Sequence, residues 1–450
     1  MVVRCRSRAR RGARIPAALA LVAVLRALPL PATATTDEAA PALRVGTSGD
    51  YAPFSVAADG GLIGFDADLA RRYAADRGRE LQFVTFRWPR LVEDLAAGRF
   101  DVAMSGITVR PERSIAGSFS LPVVETGAVA LIPEQTYEAL DELDRPHIRI
   151  GVNAGGHLER AAALRFPRAT LVAISDNASV LEALRDQAVQ AVVTDSAEAP
   201  HWRERLPGLA MLGPFTRDRK APLVRADRPE LAADLDAWLL DRERDGTLAE
   251  LRRQHLGPGP WRATADPLDA LLAAVDERLS LMPIVGYVKR EDGEPLEIPE
   301  QEGVVVEAAV VSVLEAASRR DAVPPPIPPI ERFFRAQMEA AKQVQRDAVA
   351  DPAFEPAPPL PDLDAELRPA LLRIGARIAR LVLDLPAGTP AGRVHARVRE
   401  LLREPRLTSP SRQAIAQAIV EVLPAAAASH PRASQRANSP ATTGSAMQTP

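Results

Sequence analysis

The sequence predicts a two-lobed α/β domain followed by an all-helical domain. The first observation is residues 43–120, where apolar, strand-like segments alternate with segments of helical periodicity. The order strand, helix, strand, helix, strand is typical of a parallel sheet with helices on its faces. The second observation is a change after the proline–glycine linker at residues 257–260, beyond which helical patterns continue with little strand signal.

The elements of residues 43–120 each have their own signal. Leu43–Thr47 is a short apolar run that predicts a buried strand, and a polar turn follows it. Residues 65–77 have helical spacing, with acidic residues in the first turn and Gly78 at the end. Ligands of parallel sheets bind at the carboxyl ends of the strands, so we expect the site there. The remaining elements are a helix at 88–98 and strands at 81–86 and 100–104.

A second block of strands and helices predicts a second lobe. Two lobes joined by two crossovers would form a cleft that closes around a ligand. The predicted strands lie at 121–132, 149–152, 170–173 and 191–194, and the predicted helices lie at 134–143, from about 158 and at 178–185. The chain then returns through 220–225 to the first lobe and closes it with helices at 231–242 and 248–256.

The start of the chain predicts a secretory signal peptide over residues 1–36. Six arginines precede an apolar segment at 15–30, and Ala32-Thr33-Ala34 fits a cleavage site. The single cysteine, Cys5, lies within this segment, so the mature protein would have no disulfide. An uncleaved membrane anchor is the alternative, although the run is short for a span. We therefore expect a free periplasmic protein, without a membrane partner after cleavage.

Composition excludes several classes of function. The net charge of −3 gives no reason to expect a nucleic-acid partner. The six histidines are scattered, and neither a cysteine cluster nor a glycine-rich phosphate loop is present, so we expect no metal and no cofactor. We expect the first domain at 43–256, a linker at 257–266, the helical domain at 267–424 and a disordered tail at 425–450.

Several motifs of the first domain resemble the periplasmic solute-binding proteins of the polar amino acid type, and most closely the cyclohexadienyl dehydratases. They are GDYAPF, RWPRLVEDLAAGRFDVAMSGITV, VNAGG, SDNASV, VVTDSAEA and GPFTRDRKA, within residues 43–257. The resemblance implies conversion of prephenate to phenylpyruvate, or of arogenate to phenylalanine. VVTDSAEA is the more specific motif, because it puts Glu198 where the dehydratases have an acidic catalytic residue.

The chemistry of dehydration fits these residues. An acid must protonate the departing ring hydroxyl, and a carboxyl with a raised pKa, here Glu198, suits that task. Arg113 can bind a carboxylate bidentately, as the matching arginine of solute-binding proteins does. A solvated helix-start glutamate and an exposed loop arginine are the alternatives. Further predicted wall residues are Asp50, Trp88, Thr108, Asn153, Asp195 and Lys220.

One turn departs from the dehydratase pattern. Two glycines are usually followed by Thr-Asn-Glu, whereas Gly155 and Gly156 precede His157 and Leu158 here. An imidazole and an apolar side chain thus replace a hydroxyl and an amide. This departure favours a second hypothesis, in which the first domain binds an amino acid or aromatic acid without turning it over.

Four segments of residues 267–423 resemble the secreted, gamma-class chorismate mutases of the AroQ type. They are DERLSL, VGYVK, FFRAQMEAAKQVQ and ELRPALLRIGARI. The resemblance implies that Arg278 and Arg368 bind substrate carboxylates, while Lys289 and Gln345 donate to the ether oxygen. Chorismate is a dianion that rearranges internally, so cations and neutral donors suffice for this chemistry.

The mutase pattern also has departures. The family usually carries an aspartate and an arginine after the lysine, where this chain has Ile298 and Gln301. Glu302 remains, and its carboxylate would accept a hydrogen bond from the ring hydroxyl. A mutase makes prephenate and a dehydratase consumes it, so the leading hypothesis is one secreted bifunctional enzyme of phenylalanine biosynthesis. A third hypothesis keeps only the mutase active, and the sequence leaves the oligomeric state open.

Overall fold

The computed structural model describes residues 41–357 and 359–424. These residues form a two-lobed α/β domain followed by a helical region, which confirms the predicted fold class. The predicted signal peptide at 1–36 and the predicted tail at 425–450 lie outside the described residues.

The strands of the described residues belong almost entirely to the first half of the chain. They are β1 (Leu43–Thr47), β2 (Asp50–Tyr51), β3 (Ser55–Ala58), β4 (Gly61–Ile63), β5 (Leu81–Thr85), β6 (Val102–Ala103), β7 (Gly117–Phe119), β8 (Val124–Thr126), β9 (Ala128–Pro133), β10 (Arg149–Asn153), β11 (Thr170–Ile174), β12 (Ala191–Asp195), β13 (Leu209–Leu212), β14 (Asp218–Lys220) and β15 (Leu223–Arg225).

Each lobe contains one five-stranded mixed sheet. The first has the order β5-β1-β6-β15-β7, in which β1 pairs in parallel with β5 and β6, and β15 runs antiparallel to its neighbours. The second has the order β11-β10-β12-β9-β13, with β9 antiparallel to both neighbours. The strands between the lobes, β8 and β14, pair antiparallel and form the hinge.

The helices cover both sheets and make up the second half of the chain. Those of the first half are α1 (Phe65–Asp76), α2 (Leu91–Ala96), α3 (Pro111–Ala116), α4 (His157–Arg165), α5 (Asn177–Arg185), α6 (Ala199–Arg205), α7 (Pro229–Arg244) and α8 (Thr247–Leu256). Those of the second half are α9 (Pro267–Ser280), α10 (Met282–Asp292), α11 (Pro299–Arg319), α12 (Ile327–Ala350), α13 (Arg368–Val382), α14 (Ala391–Leu401) and α15 (Ser409–Val422). No helix in the described ranges is long and apolar enough to span a membrane.

Local sequence explains several helix starts. Asp176, Asp266 and Thr408 precede α5, α9 and α15, and each side chain accepts a hydrogen bond from a backbone N–H of the first turn. Proline occupies an early position in α9, α10 and α11, where its missing N–H costs no helical hydrogen bond. These signals fix where the helices begin, and tertiary packing fixes the rest.

Several helix assignments differ from the sequence prediction, which places the helices of the second half at 267–281, 304–318, 330–350, 363–383, 391–402 and 411–423 and leaves out α3, α6 and α10. The helix predicted at 134–143 is wrong, because Gln135 has a positive φ of 64° and only a 3₁₀ turn, Leu140–Leu143, forms. Helix α10 was not predicted, since Pro283 and Gly286 weaken its helical pattern. Gly286 is needed there because a Cβ would lie 3.0–3.1 Å from the backbone and Cβ of Gln345 on α12.

The first lobe and the helical region share one apolar core. Buried residues form a continuous cluster from β1 and α1 through α7 into α9–α15. The second lobe has two smaller cores of its own, on the two sides of its sheet. The second lobe is therefore the part that can move about the hinge, while the first lobe and helical region form one packed unit.

A buried charged cluster accompanies this shared core. Arg377 of α13 lies 3.1 Å from Glu277 of α9 and 3.2 Å from Asp236 of α7. Ser114 of α3 donates a 2.8 Å hydrogen bond to Glu277, and Arg373 donates to the carbonyl oxygens of Ser114 and its neighbour. Arg377 thus bridges two buried carboxylates at the junction of the first lobe and the helical region, and Arg380 lies 3.8 Å from Asp236 as well.

Replacement of Arg377 by methionine is expected to destabilise the protein. It leaves Glu277 and Asp236 buried without their shared cation, which costs about 3 kcal/mol of unfolding free energy. Urea denaturation followed by circular dichroism measures the change. Arg319→Met is the control, because Arg319 pairs with Glu315 on the surface at 3.8 Å and contributes less than about 1 kcal/mol. Equal denaturation midpoints for the two variants would contradict this assignment.

Candidate functional site

A narrow cavity lies between the two lobes, at the carboxyl ends of the strands. Its volume is about 40 Å³, which is room for only a few water molecules. The two lobes are therefore closed on each other, and they must part before a larger ligand enters. Five residues predicted from the sequence line this cavity: Trp88, Thr108, Arg113, Asn153 and Lys220.

Gly106 allows the floor of this cavity to form. It follows β6 with a φ of +62°, a conformation that favours glycine. A Cβ there would lie 2.6 Å from the Tyr51 ring and 2.7 Å from the Phe54 ring. The loop after β6 can thus approach the aromatic residues closely and carry Thr108 and Arg113 to the cavity.

Arg113 presents a buried guanidinium to the cavity. It is 6% exposed, and burial lowers its pKa to about 9. Its Nη1 donates to the Thr108 carbonyl oxygen at 2.9 Å, and its guanidinium carbon lies 6.0 Å from the centre of the Trp88 ring. Within the described part of the chain, no carboxylate forms an ion pair with it. This arrangement can receive a ligand carboxylate.

Lys220 comes from hinge strand β14 and already has a carboxylate partner. Its Nζ lies 2.9 Å from Asp195 at the end of β12, and it donates to the Thr108 hydroxyl at 2.8 Å. Tyr51, which the sequence analysis missed, lies 3.4 Å from the same nitrogen. Burial and the nearby carboxylates raise the pKa of Tyr51 well above its ordinary value, so the phenol stays protonated.

Glu198 lies directly behind the cavity wall rather than on it. Asn177 Nδ2 donates to Glu198 Oε1 at 2.7 Å, and the Thr194 hydroxyl donates to Oε2 at 2.6 Å. Burial raises the pKa of Glu198 to about 8, although these two hydrogen bonds act in the opposite direction. The carboxyl therefore carries its proton at neutral pH. Asn177 lines the cavity and separates Glu198 from it.

The two remaining predicted carboxylates of this domain do not line the cavity. Asp50 is exposed and accepts a 3.3 Å hydrogen bond from Trp88 Nε1. Asp195 is fully buried, and it accepts from the Thr126 hydroxyl at 2.8 Å as well as pairing with Lys220. Asp195 is thus already saturated with partners from the hinge strands, which sequence spacing alone does not reveal.

His157 and Leu158, the residues that depart from the dehydratase pattern, both line the cavity. His157 Nε2 lies 2.8 Å from Asp218 of the hinge. Burial acts to raise the pKa of Asp218, but the contact with His157 holds it below its ordinary value. Asp218 and Asn177 belong to the quoted motifs GPFTRDRKA and SDNASV, so those motifs held the signal that would have identified them.

A second and larger cavity of about 470 Å³ lies within the helical region. Its wall comes mainly from α9–α13, and the charged side chains that line it are Arg278, Lys289, Glu297, Glu302, Lys342 and Arg368. Every residue predicted for the second site lines it: Arg278, Lys289, Glu302, Gln345 and Arg368. Ile298 lines it too, and so do Gln337 and Lys342, which the sequence analysis missed.

Among the described residues, Arg278 is the cation of this cavity that has no hydrogen-bond partner. Its Nη1 is buried and has no hydrogen-bond acceptor among the described residues. Burial lowers the pKa of Arg278, and no neighbouring charge acts on it. A buried guanidinium is costly unless an anion pairs with it, so this position favours a ligand carboxylate.

The other predicted residues of this cavity differ in their hydrogen-bond partners and in how far they are enclosed. Lys289 Nζ donates to the Leu296 carbonyl oxygen at 3.2 Å, and burial lowers its pKa. The buried Gln345 has an amide oxygen without a hydrogen-bond donor in the described ranges. Arg368 is half-exposed and pairs with Glu294 at 3.1 Å. Lys289 and Gln345 are therefore the more enclosed polar groups, and Arg368 lies nearer solvent.

Neither cavity has the composition of a metal centre. In the described ranges, no group of three or more His, Asp or Glu side chains is placed to hold a metal ion. The cations and protonated groups of both cavities instead match organic anions.

Comparison with known proteins concerns the first half of the chain. Residues 43–258 match the family model of bacterial extracellular solute-binding proteins, family 3. The chain is 34% identical to the cyclohexadienyl dehydratase of Pseudomonas aeruginosa over 220 residues, which are 47% of this chain and 81% of that protein. It is 26% identical to ABC transporter arginine-binding protein 1 of Escherichia coli over 223 residues, 48% of this chain and 91% of that protein.

Among solved structures, an ancestral amino acid-binding protein described as a precursor of cyclohexadienyl dehydratase is 30% identical. It matches with a TM-score of 0.46 and covers 48% of this chain and 95% of that one. The family match ends at residue 258, before α9 begins. Through residues 43–258, the chain belongs to the bacterial extracellular solute-binding proteins, family 3.

Proposed function

We propose that the protein is a secreted bifunctional enzyme of phenylalanine biosynthesis. Residues 43–256 would dehydrate and decarboxylate prephenate or arogenate, and residues 267–424, after a linker at 257–266, would rearrange chorismate to prephenate. The observation that carries the first activity is the buried, protonated Glu198 in a domain 34% identical to a cyclohexadienyl dehydratase. The family description as extracellular supports secretion to the periplasm.

The proposed dehydratase step uses Glu198 as a general acid, and Asn177, which separates Glu198 from the cavity, would have to move aside when the lobes part and admit the substrate. Its proton goes to the ring hydroxyl, and the carbon–oxygen bond breaks as water leaves. The ring carboxylate leaves as carbon dioxide, and its bonding electrons complete the aromatic ring. Arg113 would hold the side-chain carboxylate, Lys220 would balance the ring carboxylate, and Trp88 would lie against the ring. Glu198 recovers its proton from solvent.

The proposed mutase step needs no proton transfer. Arg278 would bind one carboxylate of chorismate and Arg368 the other, while Lys289 and Gln345 would donate to the ether oxygen as its negative charge grows. Glu302 would accept from the ring hydroxyl. The support is that all five line one cavity, where Arg278 has no protein partner among the described residues. That unpaired cation is the observation that carries this activity.

A second candidate function keeps the first domain as a binding module for an amino acid or aromatic acid. His157 and Leu158 favour it, because they line the cavity where the dehydratase pattern has a hydroxyl and an amide. The 26% identity to an arginine-binding protein is consistent with it. Only the mutase would then turn over substrate.

The dehydratase proposal predicts that Glu198→Gln loses activity toward prephenate. Without the acid, kcat/KM is expected to fall by about 100-fold or more. The measurement is formation of phenylpyruvate from prephenate at neutral pH. Glu204→Gln is the control, since Glu204 lies exposed on the same helix, α6. Folded wild-type protein that leaves prephenate unchanged, yet binds an amino acid tightly in calorimetric titration, would favour the binding module.

The pH dependence follows from the raised pKa of Glu198. Because the protonated form acts, kcat/KM for prephenate is expected to be level below about pH 8 and to fall above it. The same pKa shift also makes the stability of the protein depend on pH, which can be measured without substrate. Between the ordinary pKa of 4.5 and about 8, the folded state binds more protons than the unfolded state, so the unfolding free energy falls as pH rises. Glu198→Gln lacks this component, and identical pH–stability curves would contradict the assignment.

The mutase proposal predicts that Arg278→Met loses turnover of chorismate. Removal of one charge-assisted contact is expected to lower kcat/KM by about 100-fold. Absorbance of chorismate measures the rate. The thermal midpoint should not fall, because the change removes a buried cation that has no partner in the described residues. A lowered midpoint with unchanged turnover would assign Arg278 a structural role instead.

A further inference from the structure

The larger cavity contains an ion pair whose cation, Lys342, has no role in the proposed steps. Lys342 of α12 is 9% exposed, and its Nζ lies 3.1 and 3.2 Å from the two carboxylate oxygens of Glu302 on α11. Glu339 lies 2.6 Å from the same nitrogen and Glu297 lies 3.8 Å from it. The donors of this ammonium are therefore directed to carboxylates of the protein itself.

The use of lysine in this chain is unusual. The sequence has 56 lysine and arginine residues, of which only three are lysines. Lys220 lines the first cavity, and Lys289 and Lys342 line the second. An ammonium is a compact charge with three donors, whereas a guanidinium is a larger planar fork. All three lysines thus lie in cavity walls. Lys342 shares this placement with Lys220 and Lys289, which belong to the proposed sites.

The position of Lys342 on α12 places its side chain in the cavity wall. Lys342 and Gln345 are three residues apart on α12, so they share one helix face toward the cavity. Glu302 lies in the first turn of α11, where neighbouring Val304 and Val305 are exposed. The hydrogen bonds from Lys342 hold the Glu302 carboxylate against α12, in the wall of the cavity that Gln345 also lines.

We propose that Lys342 is a positioning residue of the mutase site, which fixes Glu302 so that its carboxylate accepts the hydrogen bond of the substrate ring hydroxyl. This inference rests on the proposed mutase function and adds to it a residue that helps the site recognise the ring hydroxyl. Lys342 forms no bond to substrate, and its effect passes entirely through Glu302. The binding of a substrate or inhibitor without the hydroxyl should therefore not change when Lys342 is replaced.

The test compares Lys342→Met, Glu302→Gln and the double variant with wild type. Each single change is expected to lower kcat/KM for chorismate by about tenfold, and the double variant by less than about twofold more. Two bicyclic ether dicarboxylates, with and without the ring hydroxyl, serve as inhibitors. Lys342→Met should weaken the hydroxylated inhibitor and leave the other within about twofold. Arg332→Met is the control, because Arg332 makes an ion pair from α12 to Glu421 and does not line the cavity.

The outcomes separate this inference from the mutase proposal. If wild-type protein does not turn over chorismate, the mutase proposal fails, and the pair of inhibitors still measures whether Lys342 acts through a hydroxyl site. If wild type is active and Lys342→Met weakens both inhibitors equally, Lys342 is a direct or structural cation and the inference is overturned. Multiplicative losses in the double variant, or no loss in Lys342→Met, would overturn it as well.

Discussion

The contact network of Asp195 is the constraint on which the closed first domain depends. Asp195 ends β12 in the second lobe, and it accepts from Thr126 of β8 and pairs with Lys220 of β14. Both hinge strands are thus tied to the same carboxylate. Lys220 in turn donates to Thr108 of the first lobe. Opening of the cleft requires this buried network to separate, and a ligand carboxylate would compete with Asp195 for Lys220.

Sequence reasoning was most successful where the signal is local. Leu43–Thr47 was predicted with its observed bounds, because an apolar run between polar turns leaves few alternatives. Residues 134–143 have helix-forming composition, yet the positive φ of Gln135 and pairing of β9 with β13 prevent a helix. Arg113 and Lys220 were expected near a ligand and line the cavity. Asn177 and Asp218 lie in quoted motifs, but their partners Glu198 and His157 are distant in the sequence, so the motifs mark the positions and not the contacts.

The shared core also depends on non-local pairing. Ser114 follows Arg113 in α3, and Glu277 precedes Arg278 in α9, so one buried hydrogen bond joins the neighbours of two proposed cation sites. Burial raises the pKa of Glu277, while Arg377 acts to lower it. Ser114 and Arg377 lie 163 and 100 positions from Glu277 in the sequence, which is why the junction was predicted only as a linker. The structure instead fixes α9 against the first lobe.

Each cavity has an arginine that no carboxylate of the described residues pairs with, Arg113 in the first and Arg278 in the second, and only the first has a protonated carboxyl behind its wall. Glu198 avoids the cost of a buried charge by keeping its proton, so it is an acid before any substrate arrives. Arg278 keeps its guanidinium without an anionic partner among the described residues, so that cost is offset only when an anion binds. A protonated carboxyl suits the elimination of water, and an unpaired cation suits a dianion that needs only to be held and oriented. The protonated carboxyl of Glu198 is therefore the feature that distinguishes the proposed dehydratase site from the proposed mutase site, while an arginine available to a ligand carboxylate is common to both.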